Sequence, residues 1–247
     1  MAALLCLLPL AAGAQENESP PTYAYATYFI CSPDGETRAD EIIATSFKPH
    51  YDAAVEHGDI QGWAWYQHFV GGQWRRLLVL MANDINSLID ASGALGEIIS
   101  ANTPEAGRAF SAICSSHEDY IWQTVDDVGG TAVTETRGDA GFSAYMICDM
   151  AKEERADELV REVFGPIYDQ HLGEDGLQSW NWLSHIVGGE YRRALIMGAS
   201  DHKTLMRERA KIIEKFGDRK LKRAADEFNA ICGSHRDYMW DILIQTP

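Results

Sequence analysis

Two histidines, each followed seven residues later by a pair of arginines, are the side chains of this chain best suited to chemistry. Strand alternation should turn His68 away from the face that carries Trp63 and Trp65, towards a cleft. An imidazole there could act as acid, base or metal ligand, and an arginine pair could hold a carboxylate or phosphate. The alternative interpretations are a histidine bonded across the sheet and arginines in surface salt bridges. The residues predicted for catalysis are His68 and His185, and those predicted for ligand binding are Arg75, Arg192, Tyr66, Arg76 and Arg193.

A second pair of candidates has the pattern His-x-Asp, at His117 with Asp119 and at His235 with Asp237. A carboxylate two residues from an imidazole can orient it for general base work or share a metal with it. Capping or turn chemistry at the end of a helix is the simpler interpretation. The sequence contains no G-x-S-x-G, H-E-x-x-H, P-loop or G-x-G-x-x-G motif, so it lacks the commonest signatures of hydrolases, zinc proteases and nucleotide-binding proteins.

The sequence is a tandem repeat. The segment IQGWAWYQHFVGGQWRR, residues 60–76, matches LQSWNWLSHIVGGEYRR, residues 177–193, at nine of seventeen positions, and ICSSHEDYIW later matches ICGSHRDYMW at seven of ten. Such self-similarity indicates two copies of one unit of about 100 residues. We predict a first unit over residues 23–124, a linker rich in Gly, Thr and Asp over residues 125–140, and a second unit over residues 141–247.

Each copy contains the same series of periodic patterns. A short β-branched and aromatic run predicts a first strand, and an acidic segment with apolar residues three and four apart predicts an amphipathic helix. Pro49 and Pro166 should end or kink this helix. Two further runs joined at a Gly-Gly pair predict a β-hairpin in which glycine supplies a positive φ. A second helix and a closing strand complete the order β-α-β-β-α-β, which is the α+β ferredoxin-like arrangement.

Four cysteines remain when Cys6 of the N-terminal segment is set aside, and an even number in an exported protein predicts disulfides. In the predicted unit the first strand runs beside the second helix, so bonds from Cys31 to Cys114 and from Cys148 to Cys232 would each close one unit. Closing about 84 residues would stabilise the fold by about 4 to 5 kcal/mol in the chain-entropy model. Pairing Cys31 with Cys232 and Cys114 with Cys148 also respects the repeat symmetry and stays open.

The N-terminus and the charge bear on where the protein works. An apolar run from Ala2 to Ala12, followed by Ala14, predicts a signal peptide over residues 1–14 and a periplasmic or secreted product. No later segment has the length and apolarity of a membrane-spanning helix, which predicts no membrane insertion. The formal net charge of −16 argues against nucleic acid as a partner. The predicted partners are a small-molecule ligand and other copies of the chain in a homo-oligomer.

Two ferredoxin-like units in one chain, each with a helix that meets a proline before an alternating strand and a hairpin, resemble the dimeric α/β-barrel superfamily. That superfamily includes the antibiotic-biosynthesis-monooxygenase-like, NIPSNAP-like and EthD-like families. The resemblance implies that two sheets form a single-chain pseudo-dimeric α/β barrel, with cavities inside the barrel or between each sheet and its own helices. Heme-using chlorite dismutases and dye-decolorising peroxidases share this fold, so the resemblance makes heme or a metal at His68 or His185 a cofactor to test, although no heme motif is present.

The leading functional hypothesis is an exported protein that binds a small apolar or aromatic, or carboxylated, ligand in a barrel cavity lined by His68, His185 and arginines. One alternative is a cofactor-independent monooxygenase, isomerase or lyase with histidine as general base. Another is a non-catalytic envelope stress or interaction scaffold with an exposed apolar patch. Fold resemblance does not choose among these. The two copies also differ, for example at Tyr66 against Leu183, which predicts that they need not be equally active.

Overall fold

The computed structural model describes residues 22–246, and the predicted signal peptide lies outside the described residues. Its eight strands form one closed barrel in which every pairing is antiparallel, and the helices pack against the strands, so the predicted α+β class is confirmed. Both halves contain the same order of strand, helices, two strands, helices and strand. The strands are β1 Tyr23–Ile30, β2 Gly62–Val70, β3 Arg76–Ala82, β4 Ser116–Thr131, β5 Ala140–Ile147, β6 Leu177–Val187, β7 Arg193–Ala199 and β8 Ser234–Gln245.

Each half contributes four neighbouring strands to the barrel. The first half has the order β4-β1-β3-β2 and the second has β8-β5-β7-β6. The two sheets are joined by pairing of β2 with β8 and of β4 with β6. Because the sheet closes on itself, each of the strands described within residues 22–246 has a neighbouring strand on both sides.

The first helical segment of each half is interrupted by a wide, π-helical turn. These turns are Ile43–Phe47 and Val160–Phe164, and each is followed directly by a helix with Pro49 or Pro166 in its first turn. The prolines therefore do not end the segment, because the backbone N–H that proline lacks is not needed in a first turn. The helices are α1 Glu36–Ile42, α2 Lys48–His57, α3 Ile85–Asn102, α4 Pro104–Ile113, α5 Glu153–Leu159, α6 Gly165–Asp169, α7 His202–Phe216 and α8 Lys222–Ile231. Within residues 22–246, none of them combines the length and apolarity needed to cross a membrane.

The final run of each copy is a strand, as predicted, but β4 is longer than its counterpart β8. It continues to Thr131, through the first part of the predicted linker, and pairs with β6 again after an irregularity between Thr124 and Gly129. Residues 132–139 are the part of the predicted linker that lies outside the strands.

Both disulfides have the predicted pairing within one unit. Cys31 is bonded to Cys114, and Cys148 to Cys232, so the crossed alternative is wrong. Each bond joins the residue after the first strand of a half to the residue that ends its last helix. The disulfides indicate an oxidising compartment.

The Gly-Gly hairpins hold the two halves together. Gly71 and Gly188 have positive φ angles of 148° and 144°, as the hairpin prediction required. The second glycine of each pair has a different reason. A Cβ atom on Gly72 would lie 2.3 Å from the hydroxyl of Tyr238, and one on Gly189 would lie 2.3 Å from the hydroxyl of Tyr120. Each hairpin is therefore seated on a tyrosine of the other half.

Candidate functional site

His68, Arg75 and Arg76 come together with two carboxylates of α1. The Arg76 side chain is 1% exposed, and its Nε and Nη2 atoms donate to Asp40 Oδ1 and Oδ2, each at 2.7 Å. Its Nη1 donates to Glu36 at 3.0 Å. Arg75 donates to Glu36 at 2.5 Å and to His68 Nδ1 at 2.8 Å. The arginines therefore fasten α1 to the start of β3.

The second half contains the same cluster. Arg193 donates to both oxygens of Asp157 at 2.7 Å and to Glu153 at 3.0 Å. Arg192 donates to Glu153 at 2.6 Å and to His185 Nδ1 at 2.6 Å. Burial alone would raise the pKa of Glu153, but hydrogen bonds and charge from the two arginines outweigh it and lower that pKa. The arginines predicted to bind a ligand are thus neutralised by carboxylates of their own half.

The histidines of these clusters are arranged as hydrogen-bond donors. Arginine can only donate, so His68 Nδ1 accepts from Arg75 and the ring proton lies on Nε2. Nε2 is buried and has no partner among the described residues, and the ring faces Tyr238 and Trp240 at centroid distances of 6.2 and 6.3 Å. Burial and the charge of Arg75 lower the pKa of His68, which keeps the ring neutral. His185 is bonded in the same way and faces Tyr120 and Trp122.

A donor at Nε2 does not suit a general base, which needs a free lone pair. The catalytic role of His68 and His185 stays a prediction that this geometry does not favour.

Aromatic rings from both halves fill the interior of the barrel, where the ligand cavity was predicted. Trp74 stacks on Tyr28 at 4.1 Å and on Tyr238 at 4.9 Å. Tyr66, a predicted ligand residue, packs against this group, and burial raises its pKa to about 12. The barrel interior is therefore a packed core. The aromatic members of this barrel cluster are Tyr28, Trp74, Tyr120, Trp122, Tyr145, Tyr191, Tyr238 and Trp240.

A cavity of about 220 Å³ lies between the sheet and the helices of the second half. Strands β5, β6, β7 and β8, the π-helical turn and helices α6, α7 and α8 all contribute to its wall. The wall is mostly aliphatic and aromatic, with Asn229 and His235 as hydrogen-bonding side chains. The volume suits a compact ligand, since it is below the usual size of drug-binding pockets. The lining residues are Met146, Val160, Phe164, Tyr168, Trp182, Leu195, Phe216, Ala225, Phe228, Asn229, Cys232 and His235. They include His235 of the second candidate pair but neither of the histidines His68 and His185 nor the residues predicted to bind a ligand.

The first half has a phenylalanine where the second half has Met146. The repeat offset of 117 aligns Phe29 with Met146. The Phe29 ring packs edge-on against Phe110 at 5.2 Å and lies 5.8 Å from the ring of His117. A rigid ring thus occupies the place that borders the cavity in the other half.

In both His-x-Asp pairs the histidine Nδ1 lies close to the carboxylate, and the pair of the second half is hydrogen-bonded. His117 Nδ1 lies 2.9 Å from Asp119, and His235 Nδ1 lies 2.6 Å from Asp237. Of the two histidines, His235 is the one that lines the cavity of the second half. Over residues 22–246, no three His, Cys, Asp or Glu side chains are grouped as metal ligands would be.

The residues present do not fit heme at His68 or His185. Iron would need an imidazole nitrogen with a free lone pair, but Nδ1 of each ring accepts from an arginine and Nε2 is buried against the barrel cluster. Axial ligation would require both the arginine and the aromatic rings to move.

Comparison with known proteins adds the fold class. No protein-family model and no curated relative matches the chain. Several solved structures match over both halves. A monooxygenase-like chain of Lactobacillus acidophilus has a TM-score of 0.57 at 8% identity and covers 92% of this chain and 96% of its own. An anthrone oxidase-like protein has a TM-score of 0.57 at 14% identity, covering 93% and 94%. A variant of the chlorite dismutase of Candidatus Nitrospira defluvii has a TM-score of 0.56 at 7% identity, covering 92% and 91%.

These likenesses show the fold alone. The chain shares its α+β barrel fold with these proteins. At such identities the activities of the neighbours do not transfer to this chain.

The cavity lies at one of the two places that the resemblance implied, between a sheet and its own helices. Most of its lining residues were not predicted, because the residues singled out from the sequence are those that are the same in both copies. Trp182, for example, lies in the core between the sheet and the helices of the second half. The difference between Phe29 and Met146 could have indicated the cavity, because an aromatic ring in one strand is replaced by a flexible, unbranched side chain in the other, otherwise similar strand.

Proposed function

We propose that the protein binds a small apolar or aromatic molecule in the cavity between the sheet and the helices of its second half. The observation that carries this proposal is the apolar wall, to which Phe164, Trp182, Phe216 and Phe228 contribute aromatic surface. Pockets of this kind, mostly apolar with a few polar groups, are typical of small-molecule sites.

The architecture behind this proposal is a duplication. We propose that two tandem ferredoxin-like units, one over residues 23–124 and one over residues 141–247, form a single-chain pseudo-dimeric α/β barrel. The matched sequences, the equal element order, the equal disulfides and the reciprocal tyrosine contacts support it. In this arrangement the second unit provides the ligand cavity.

We further propose that the protein is exported to the periplasm or secreted, with residues 1–14 as the signal peptide. The apolar N-terminal run and the two disulfides support export. Intact mass measurement of the mature protein tests it. A chain that begins at Gln15 is expected, and a mature chain that keeps residues 1–14 would contradict the proposal.

The ligand proposal is tested by filling the cavity with the residue that the first half uses. Met146→Phe should weaken the binding of naphthalene, indole and 1-naphthol by at least about tenfold, because a ring would take ligand space. Equilibrium dialysis against the full chain, with the probe read by its own fluorescence, measures the affinity. Phe29→Met is the matched control, since it makes the reverse exchange in the other half and should leave the affinity of the second-half site unchanged.

Two outcomes would refute the proposal. If none of the three probes binds the wild-type chain saturably, the cavity is not a site for compact aromatic ligands. If Met146→Phe binds as tightly as the wild type while Phe29→Met does not, the site lies in the first half. Circular dichroism of both variants should show that they remain folded.

A further inference from the structure

We propose that His235 accepts a hydrogen bond from an O–H or N–H group of the ligand, and that the second half alone is completed for this task. The inference rests on the proposed function, because it assigns a ligand class to the same cavity. It would make the preferred ligand a compact apolar molecule that carries one hydrogen-bond donor.

The ring of His235 is oriented by a chain of contacts that begins outside the cavity. Nδ1 lies 2.6 Å from Asp237 Oδ1, and Asp237 Oδ2 accepts from Arg209 at 3.2 Å. The Arg209 guanidinium in turn lies over the ring of Phe142, 4.7 Å from its centroid. One oxygen of Asp237 is therefore bonded to His235 and the other to Arg209, and Arg209 itself packs on Phe142 of β5.

This orientation decides which ring nitrogen can meet a ligand. An ionised carboxylate only accepts hydrogen bonds, so Asp237 places the proton of a neutral His235 on Nδ1. Nε2 then carries a lone pair, and within residues 22–246 no hydrogen bond to it is formed. Since His235 lines the cavity and its side chain is 53% exposed, we infer that this lone pair can be reached by a donor on the ligand. A ligand whose polar group is a carboxylate offers no donor and is not matched to it.

The first half has the same motif without its supporting parts. His117 Nδ1 lies 2.9 Å from Asp119 Oδ2, but Asp119 Oδ1 is buried with no partner in the described part of the chain. The repeat offset places Ser92 where the second half has Arg209, and a serine side chain is much shorter than the arginine. Phe29 also packs near His117.

A second polar difference lies at the cavity itself. Asn229 of α8 lines the cavity. In this later part of the repeat the offset is 118, as between Cys114 and Cys232, so the counterpart of Asn229 in the first half is Ser111. Three differences therefore distinguish the second half from the first. The second half has Met146 in place of a phenylalanine near the histidine, an arginine bonded to the carboxylate of the His-x-Asp pair, and an asparagine in the cavity wall. Together they indicate that the second half has been adapted to a ligand with a polar group.

Paired probes that differ by one hydroxyl group test the inference. The wild-type full chain should bind 1-naphthol about three- to tenfold more tightly than naphthalene, the ratio expected for one partly exposed hydrogen bond. His235→Ala should bring this ratio close to one, and because the ratio is taken within each variant, a change of the wall that affects both probes equally cancels. His117→Ala is the matched control in the first half and should keep the wild-type ratio.

Arg209→Met tests the orienting chain, because Arg209 does not line the cavity. We expect it to lower the 1-naphthol to naphthalene ratio without changing naphthalene affinity, which general loosening of the fold would not do. A wild-type ratio of one, or a ratio that survives His235→Ala, overturns the inference. A ratio lost in Asn229→Ala but kept in His235→Ala also overturns it, since Asn229 would then be the recognising residue. Failure of naphthalene, indole and 1-naphthol alike to bind the wild-type chain refutes the proposed function instead.

Discussion

Replacing Asp40 by Asn should destabilise the protein far more than the partly exposed position of Asp40 on α1 suggests. Its partner Arg76 is 1% exposed, and the two side chains share two hydrogen bonds of 2.7 Å. The substitution keeps the size of the side chain but removes its charge. It also places an NH₂ group opposite an arginine N–H in at least one of the two bonds, so a donor faces a donor.

The expected cost follows from the burial of the arginine. Hydrogen bonds to charged groups contribute about 1.5 to 3 kcal/mol, and removing one partner of a buried ion pair costs about 3 to 5 kcal/mol. Asp40 is 21% exposed and Glu36 still contacts Arg76, so screening and the remaining partner reduce the effect. We expect a loss of about 2 to 4 kcal/mol in the free energy of unfolding.

Equilibrium unfolding in guanidinium chloride, followed by tryptophan fluorescence with the disulfides intact, measures this loss. Glu41→Gln is the matched control, because the Arg38–Glu41 pair lies on the same helix with side chains 61% and 56% exposed, and its loss should cost about 0.5 kcal/mol or less. Adding Arg76→Met to Asp40→Asn should recover part of the stability, because no buried cation then lacks its partner. If Asp40→Asn costs no more than Glu41→Gln, the cluster does not hold α1 on the barrel and the reasoning is wrong.

Two further predictions concern the hairpin contact and acid stability. Gly72→Ala should cost about 1 to 3 kcal/mol in the free energy of unfolding, because its Cβ would lie 2.3 Å from the Tyr238 hydroxyl. Gly93→Ala in α3 is the control, since its Cβ would meet nothing within 4 Å and the change should be neutral or stabilising. A denaturant titration of both variants measures the difference. Burial raises the pKa of Glu208, but hydrogen bonds from a lysine, a histidine and an arginine outweigh it and lower that pKa to about 2. A lowered carboxyl pKa gives stability above the unfolded value, so stability should fall as the pH drops from 4.5 towards about 2, and Glu208→Gln should flatten that slope in the pH dependence of unfolding.

Much of the fold could be predicted from the sequence because its signals are local. Alternation around Trp63 and Trp65 gave a strand face against the helices, and both side chains lie in that core. The disulfide pairing followed from the element order within one unit. The π-helical turns could not be predicted, because a proline in a helical pattern indicates an interruption but not that the segment widens and continues.

The closure of the barrel depends on contacts between the halves, which sequence periodicity does not report. The pairing of β2 with β8 and of β4 with β6 brings aromatic side chains of both copies into one interior. Each strand pattern alone shows only that one face is apolar. Whether two such faces enclose a cavity or a packed core depends on the volumes of rings such as Trp74 and Tyr191. These two residues lie between the strands of the two hairpins, and their side chains belong to the barrel cluster. The sequence therefore could not show that packed rings occupy the barrel interior, where a cavity was predicted.

A duplicated chain separates structural from functional residues in a way that a single copy does not. The His-Arg-Arg clusters are the same in both halves, make the same hydrogen bonds, and fasten the same helix to the same strand. Equal residues with equal contacts are explained by the needs of each unit, so they carry no information about a task performed once.

The residues that differ are the ones that need another explanation. Phe29 and Met146 both pack well as apolar side chains, yet they leave different space beside the histidine of each half. Arg209 donates to Asp237 in the second half, whereas Oδ1 of Asp119 in the first half has no partner among the described residues. Since stability alone would let both copies keep either solution, their divergence towards an open, polar-ended cavity on one side favours ligand binding as the constraint on the second half. On this argument, exchanging the members of each differing pair between the halves should move the ligand site from one half to the other.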